Sequence, residues 1–298
     1  MINRVTQQTV QRSTLANVQL NLAKMADMQA RMSSGKLITR PSDDPAGTAT
    51  AMTLRSQTRA AEQFSRNADD GVGWLTTVDS SLSASVAEVR AARNLTVQGG
   101  KGSLNAVGRE AIAIQLEGIR DELLAQANFA YLGRSVYAGT SDAGVAFTGA
   151  AAVPPYDWTG TAGATVQRRV STDTTIRVDA DGTAVFGAGT GSVFALIDSI
   201  AADLRAGVDV GPRLTEIDAR MDTMLGQLSG AGTRYNQMTS AQDATTKAVM
   251  DLTVQLGKVE DIDLASTILD LEMQEVAYKG ALGAAARVLQ PTLMDFLR

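Results

Sequence analysis

The sequence predicts a mainly α-helical fold: an elongated helical bundle or coiled coil made from both chain termini, with a small β-rich insert. Apolar residues near both ends recur in alternating steps of three and four, which keeps one helix face toward a partner helix. Aromatic residues make up only 4% of the 298 residues, which favours narrow seams between long helices. Neither Lys nor Glu occurs between Glu122 and Glu216. Because long helices usually carry both on their solvent-facing sides, this block favours β structure.

The composition excludes several classes of protein. Lys and Arg number 27 and Asp and Glu number 32, which gives a net charge of −5 and disfavours general nucleic-acid binding. His and Cys are absent, so disulfides, thiolate catalysis and the usual zinc sites are excluded. No segment has the apolar length of a transmembrane helix, and the first thirty residues lack the apolar block of a cleaved signal peptide.

The pattern divides the chain into three expected domains. A terminal coiled-coil domain comprises residues 1–35 and 258–298, and a helical rod domain comprises 36–136 and 192–257. The β-rich insert covers 137–191. Within it, Thr174 to Ala180 alternates in polarity, so Asp181-Gly182 is predicted to be the turn of a hairpin whose second strand ends at Phe186.

The terminal seams are the predicted assembly interface, since a chain with two pairing ends is suited to closing or polymerising through them. Gln29 and Glu275 are polar members of these seams; either they set the register or they face water. The apolar members are Leu15, Val18, Leu22, Met25, Met32, Leu264, Ile268, Leu271, Tyr278, Leu282 and Leu289, with Ala285 also on the second seam.

A structural loop is predicted after the first helix, from Ser33 to Pro45. Gly35 suits the left-handed position after a helix end, and Asp44 before Pro45 has the form of an N-cap followed by proline at the first helical position. Arg40, Pro41 and Asp43 complete this loop. Carboxylates at Asp43 and Asp44 could instead hold a hard cation, although capping already accounts for each residue.

No catalytic, cofactor or metal site is predicted, and the chain is not expected to be an enzyme. Asp179-Ala180-Asp181-Gly182 resembles the opening of an EF-hand loop but lacks its final acidic ligand. Gly100-Lys101-Gly102-Ser103 follows a helix rather than the buried strand that precedes a phosphate-binding loop. Without His or Cys, catalysis would need a carboxylate pair or a Lys, Tyr or Ser, and no acidic pair departs from the periodic pattern.

Several motifs resemble the flagellin superfamily. They are Ser33-Ser34-Gly35-Lys36, Arg40-Pro41-Ser42-Asp43-Asp44-Pro45-Ala46, the segment from Val89 to Gln126, and the ending from Leu289 to Arg298. The resemblance covers about residues 1–135 and 192–298. It implies a structural subunit of the bacterial flagellum, located outside the cell and exported by the flagellar type III apparatus.

The two-proline loop and the Leu-Gln-Pro ending favour the family member that joins hook to filament and transmits torque. The implied partners are sister copies in a ring of about eleven, hook-associated protein 1 on the hook side, flagellin on the filament side, and an export chaperone. A filament flagellin is the alternative. A signalling coiled coil would show unbroken heptads and no β block, and a hydrolase would need an acidic pair near Tyr156 or Trp158.

Overall fold

The computed structural model describes residues 7–100 and 104–289. Long helices dominate, as the fold class predicted from the sequence requires. The helices are α1 (Gln7–Ser34), α2 (Pro45–Gly99), α3 (Ala106–Ala127), α4 (Gly182–Phe186), α5 (Val193–Ala206), α6 (Gly211–Glu260) and α7 (Leu264–Leu289), with a short 3-10 turn at Gly189–Gly191. Within the described ranges, no helix combines the length and apolar character needed to cross a bilayer.

The chain divides into two compact units. The first comprises Met1–Arg59 and Val249–Arg298, and the second comprises Ala60–Ala248. The boundaries fall inside α2 and α6. The three-domain division expected from the sequence stays a prediction.

The second unit has a continuous apolar core built from one face of each of four helices in the described residues. α2 contributes one face, α3 and α5 contribute the faces packed beside it, and α6 adds a fourth. These buried residues are Leu75, Val78, Leu82, Val86, Val89, Ile112, Leu116, Leu123, Ile197, Ile200, Leu204, Ile217 and Met224. Their spacing of three and four residues places them on one face of each helix.

The insert is held by aromatic packing more than by strands. The described residues form two small antiparallel hairpins. β1 (Ala130–Tyr131) pairs with β2 (Arg134–Ser135) just before the insert, and β3 (Gln167–Arg169) pairs with β4 (Thr175–Arg177) within it. Phe186 lies 5.6 Å from Phe194 and 5.1 Å from Tyr137, ring centre to ring centre. The Tyr137 hydroxyl donates to Ser81 Oγ on α2 at 3.0 Å, which fastens the aromatic cluster to the helices. Burial raises the pKa of Tyr137.

The predicted turn at Asp181-Gly182 is wrong. Asp181 is the N-cap of α4: its carboxylate accepts hydrogen bonds from the N–H groups of Thr183 (2.9 Å) and Ala184 (3.3 Å). The partner of β4 is β3, which precedes it in the chain. An Asp before a Gly satisfies both a hairpin turn and a helix cap, and Val185 and Phe186 reach the core from a helix.

Two carboxyl groups meet across α2 and α3. Glu88 is half-buried, and the pKa of Glu88 is raised by burial and then by the charge and hydrogen bond of Glu122. The fold therefore binds the Glu88 proton more tightly than the unfolded chain does. The stability from Glu88 is fully present below its unfolded-state pKa of 4.5 and is lost as pH rises through the folded-state value.

Replacing Glu88 by Gln should raise the thermal midpoint of unfolding at neutral pH, because the buried charge and its repulsion by Glu122 disappear. The difference from wild type should close at about pH 4, where the carboxyl group is already protonated. Calorimetry at both pH values measures this. Glu62→Gln, on the exposed side of α2, is the control. An equal gain at both pH values would contradict this account.

Candidate assembly surface

In the first unit the two terminal helices pair with each other. α1 packs against α7. Near one end of the pair, Ile262 N–H donates to Gly35 O at 3.1 Å. Further along, the side-chain amide of Gln274 donates to Asn21 O at 3.3 Å and to Asn21 Oδ1 at 3.4 Å. Residue numbers fall along α1 as they rise along α7, so the two helices are antiparallel.

The faces that meet form an inner row on each helix. On α1 the shielded positions follow steps of four and three, and on α7 they do the same. The α1 members are Thr14, Val18, Asn21, Met25 and Met28; the α7 members are Thr267, Leu271, Gln274, Tyr278, Ala281 and Ala285. The register of the Asn21–Gln274 pair brings Val18 level with Tyr278 and Met25 level with Leu271. The pair is therefore an antiparallel coiled coil with an amide layer inside an otherwise mainly apolar seam.

The structure divides the predicted interface residues between two rows. Val18, Met25, Leu271 and Tyr278 belong to the inner row. A flanking row of predicted members stays exposed on the described helices. Four of them follow an inner-row member by one residue, and Leu264 lies one turn before Ile268. The flanking row is Leu15, Leu22, Leu264, Ile268 and Leu282, which are 40–57% exposed. Met32 is also exposed, and the Leu289 side chain lies outside the described part of the chain.

Gln29 and Glu275 are exposed in the single chain, as the flanking row is, so the choice between setting the register and facing water stays open. Glu275 is exposed and pairs with Lys279 one turn later at 2.7 Å. Further exposed apolar residues were missed by the seam analysis: Leu20 on α1, and Leu269, Met273 and Val276 on α7. On α7 these residues follow steps of four and three themselves, on a face beside the one that the seam analysis selected.

The loop after α1 has the local geometry predicted for it. Gly35 has a φ of 69°, the left-handed conformation that suits glycine after a helix end. Asp44 Oδ1 accepts from the N–H groups of Ala46 (3.1 Å) and Gly47 (2.9 Å), so it caps α2, and Pro45 is the first helical residue. A Cβ at Gly47 would overlap the Asp44 carboxylate and the Ile38 side chain, which explains the glycine there.

Hydrogen bonds within the loop engage the carboxylates that could have held a cation. Asp43 Oδ2 accepts from the Thr39 hydroxyl and the Arg40 N–H, both at 2.9 Å. The Thr39 hydroxyl and the Arg40 N–H lower the pKa of Asp43, in that order. Arg40 and Pro41 are exposed on the same loop. Its acidic residues thus fold the loop and begin α2.

A buried carboxylate joins the loop to the end of α6. Glu260 is only 3% exposed, and its Oε2 lies 2.9 Å from Arg55 Nη2 and 3.5 Å from Lys36 Nζ. Leu37 N–H also donates to Glu260 O at 2.6 Å. Lys36 Nζ lies 2.6 Å from Asp261 Oδ1, and this hydrogen bond is the main cause of the raised pKa of Lys36. These contacts fix the loop against the α6–α7 junction, which periodicity could not reveal because they join residues over 200 positions apart.

Three candidate sites from the sequence remain: the segment at Asp179, the surroundings of Tyr156 and the motif that begins at Gly100. Asp179 is buried, its carboxylate pairs with Arg177 at 2.9 Å, and it accepts from Val166 N–H at 2.9 Å. Near Tyr156, Asp198 accepts from the Tyr156 hydroxyl and from Arg120, both at 2.5 Å. In the Gly100–Ser103 motif, residues 101–103 lie outside the described residues.

Comparison with known proteins gives a family match in the N-terminal part of the chain. Residues 5–142 match the bacterial flagellin N-terminal helical region. The flagellar hook-associated protein 3 of Salmonella typhimurium is 28% identical over 137 residues, 46% of this chain and 43% of that protein. The 41 kDa flagellar filament core protein of Borreliella burgdorferi is 31% identical over 104 residues, 35% of this chain and 31% of that protein. The matches therefore span less than half of these curated relatives.

The fold is also that of a solved structure. Hook-associated protein 3 from Legionella pneumophila superposes with a TM-score of 0.62 at 14% identity, over 70% of this chain and 98% of that one. At this identity the likeness concerns the fold alone, and it confirms the mainly helical architecture with a small insert.

Replacing Asp44 by Ala should destabilise the start of α2 by about 1 kcal/mol, because two N–H groups lose their acceptor. Amide exchange at Ala46 and Gly47 measures the loss directly. Ser42→Ala, two residues away on the exposed loop, is the control and should leave both rates unchanged. Unchanged exchange in the Asp44 variant would show that the cap contributes nothing.

Removing the two cations beside Glu260 should cost more stability than removing the charge of Glu260 itself. Replacing both Lys36 and Arg55 by Met leaves a buried carboxylate without a cation and should cost about 2–4 kcal/mol. Glu260→Gln leaves two largely exposed cations that water can solvate, so it should cost only about 1 kcal/mol. Amide exchange at Leu37 and Ile262, which bond across this junction, reports the opening. The opposite order would refute the buried-charge account.

Proposed function

We propose that this chain is a structural subunit of the flagellum at the hook–filament junction. The match of residues 5–142 to the flagellin N-terminal helical region and the likeness in sequence to hook-associated protein 3 support this proposal. In this role it joins the hook-associated ring to the flagellin filament and transmits torque between them. The role is mechanical and needs no catalytic group. It also implies export to the cell exterior without a cleaved signal peptide.

One observation carries the proposal: the terminal helices use only part of their apolar surface on each other. The inner row closes the α1–α7 pair, while the flanking row leaves leucine and isoleucine side chains 40–57% exposed. Leu269, Met273 and Val276 extend the exposed apolar surface of α7 to 61–70% exposure. Apolar surface of this extent on a paired helix is typical of a protein interface.

The exposed apolar surface and the names of the relatives support a set of proposed partners. Copies of the chain would cover the flanking rows of their neighbours in a closed ring, whose number of subunits the family sets at about eleven. Hook-associated protein 1 would lie on the hook side and flagellin on the filament side, with an export chaperone before assembly. The hook-associated name of the Salmonella and Legionella relatives supports the junction role over that of a filament subunit.

Deleting the gene tests the role at the level of the cell. The expected result is hooks without filaments, with flagellin released into the medium, and restoration of filaments by the wild-type gene. Electron microscopy and immunoblots of the medium measure both. Filaments still attached to hooks in the deletion strain would refute the junction role, and loss of flagellin polymer with intact junctions would indicate a filament subunit.

The flanking row can be tested by polar substitution. Replacing Leu15 and Leu22 by Ser should leave helix pairing in the free chain within about 0.5 kcal/mol, since both side chains are exposed. The same change should abolish attachment of filaments in the deletion strain. Ala16→Ser with Ala23→Ser, exposed on another side of α1, is the matched control and should support attachment. Normal attachment by the Leu15 and Leu22 variant would show that this row contacts no neighbour.

A further inference from the structure

A groove in the first unit follows one side of α2. Thr48, Met52, Arg55 and Arg59 repeat at steps of four, three and four, so they lie on the same side of the helix. The last three of them, with Leu256 of α6, line a cavity of about 370 Å³. A second cavity of about 300 Å³ shares Met52 and Arg55 and extends to the loop after α1. The two cavities are adjacent parts of one surface, which we call the α2 groove.

The α2 groove combines exposed apolar surface with positive charge. Met52 is 64% exposed. The lining includes three arginines and one carboxylate, a net charge of +2; these residues are Arg40, Arg55, Arg59 and Glu260. Arg55 pairs with Glu260, whereas the guanidinium groups of Arg40 and Arg59 form no ion pair within the part of the chain that the structure describes. The groove is therefore suited to an acidic partner with an apolar surface.

α7 carries an acidic and apolar surface of this kind. Leu269, Met273 and Val276 follow steps of four and three and are 61–70% exposed. At about 100° per residue they lie on the side of α7 that is turned away from the inner row. Asp270 and Glu272 flank them on either side, both are exposed, and neither forms an ion pair among residues 7–100 and 104–289. We call these five residues the outer row.

We propose that the outer row of one copy of this chain docks into the α2 groove of a neighbouring copy. The apolar residues of the outer row would cover Met52 and Leu256, and its two carboxylates would lie beside the unpaired guanidinium group of Arg59. Two negative charges then face a lining of net charge +2. The first unit carries 12 Lys and Arg residues against 11 Asp and Glu, so its net charge does not oppose the approach of a second copy.

The two surfaces also agree in length. Met52 to Arg59 on α2 and Leu269 to Val276 on α7 each span seven residues, about 10 Å along a helix. A helix whose residues i, i+4 and i+7 enter a groove is a recurrent mode of recognition. Because the outer row and the α2 groove are different patches, the contact is head-to-tail and forms a ring when the rotation between copies closes. The contact rests on the proposed function, since only an assembling subunit is surrounded by its own copies.

Photocrosslinking in assembled flagella identifies the occupant of the α2 groove. p-Benzoylphenylalanine is incorporated at position 52 of the full chain, which is expressed in the deletion strain, and isolated flagella are irradiated. The expected product has about twice the 31.2 kDa mass of the chain, and mass spectrometry should place its second attachment point between residues 269 and 276. A product with another flagellar protein or with another part of this chain, or no product, overturns the proposal.

The matched control places the same group at position 250. Met250 is 62% exposed on α6 but does not line the α2 groove. It should give no product with the outer row, and a product of equal yield there would overturn the assignment of the groove.

Charge reversal tests the contact by a second route. Arg59→Glu should lower the number of filaments retained on hooks after shear by about tenfold, because like charges then face each other. The thermal midpoint of the free chain should stay unchanged, since Arg59 is exposed. Adding Asp270→Arg or Glu272→Arg should restore retention to within about twofold of wild type. Lys258→Glu, at an exposed site on α6 turned away from Leu256, is the matched control and should retain filaments.

Retention that Arg59→Glu leaves unchanged, or that neither added arginine restores, overturns the contact. Failure of the proposed function is distinguishable from failure of the contact. Filaments would then stay on the hooks of the deletion strain whatever variant is supplied, while the cross-link between copies would still form wherever the chain assembles.

Discussion

The pairing of the two chain ends is the interaction on which the assembly surface depends. α1 and α7 lie antiparallel because the Gly35–Ile262 and Leu37–Glu260 backbone hydrogen bonds join the loop to the α6–α7 junction. The buried Glu260 carboxylate holds that junction through Arg55 and Lys36. Asn21 and Gln274 then fix the register along the pair. Without this arrangement, the flanking rows of α1 and α7 would not be held on one helix pair.

The inner row is unusual in being only partly apolar, with Thr14, Asn21, Thr267 and Gln274 among its members. An amide pair inside a helical seam reduces stability but favours one register over others. The exposed flanking row, by contrast, carries leucine and isoleucine, and Gln29 and Glu275 are the polar residues at its seven-residue spacing. Much of the apolar surface of the terminal helices is therefore directed away from the intramolecular contact, as expected for a subunit that gains stability from its neighbours.

The second unit is stabilised mainly by buried apolar side chains within the chain itself. Its core is a continuous set of buried leucine, isoleucine and valine side chains on α2, α3, α5 and α6, joined by the aromatic cluster of the insert. Ser81 and Asn128 tie the insert to the helices: Ser81 accepts from Tyr137, and Asn128 Oδ1 accepts from the N–H groups of Ala146 and Phe147 at 2.8 Å. These hydrogen bonds join the insert to the helical core of the second unit.

Local features of the fold could be predicted from the sequence, because they depend on residues within one or two helical turns along the chain. The helices, the Gly35 turn and the Asp44 cap belong to this class. A three-four repeat locates a helix face only to within one residue, or 100° of rotation, so it could not distinguish Asn21 from Leu22 as the residue facing the partner. Packing against α7 determines that Asn21, rather than Leu22, faces the partner helix. Burial of Glu260 and the formation of α4 in place of a predicted strand were likewise decided by tertiary packing, because both depend on residues distant in the chain.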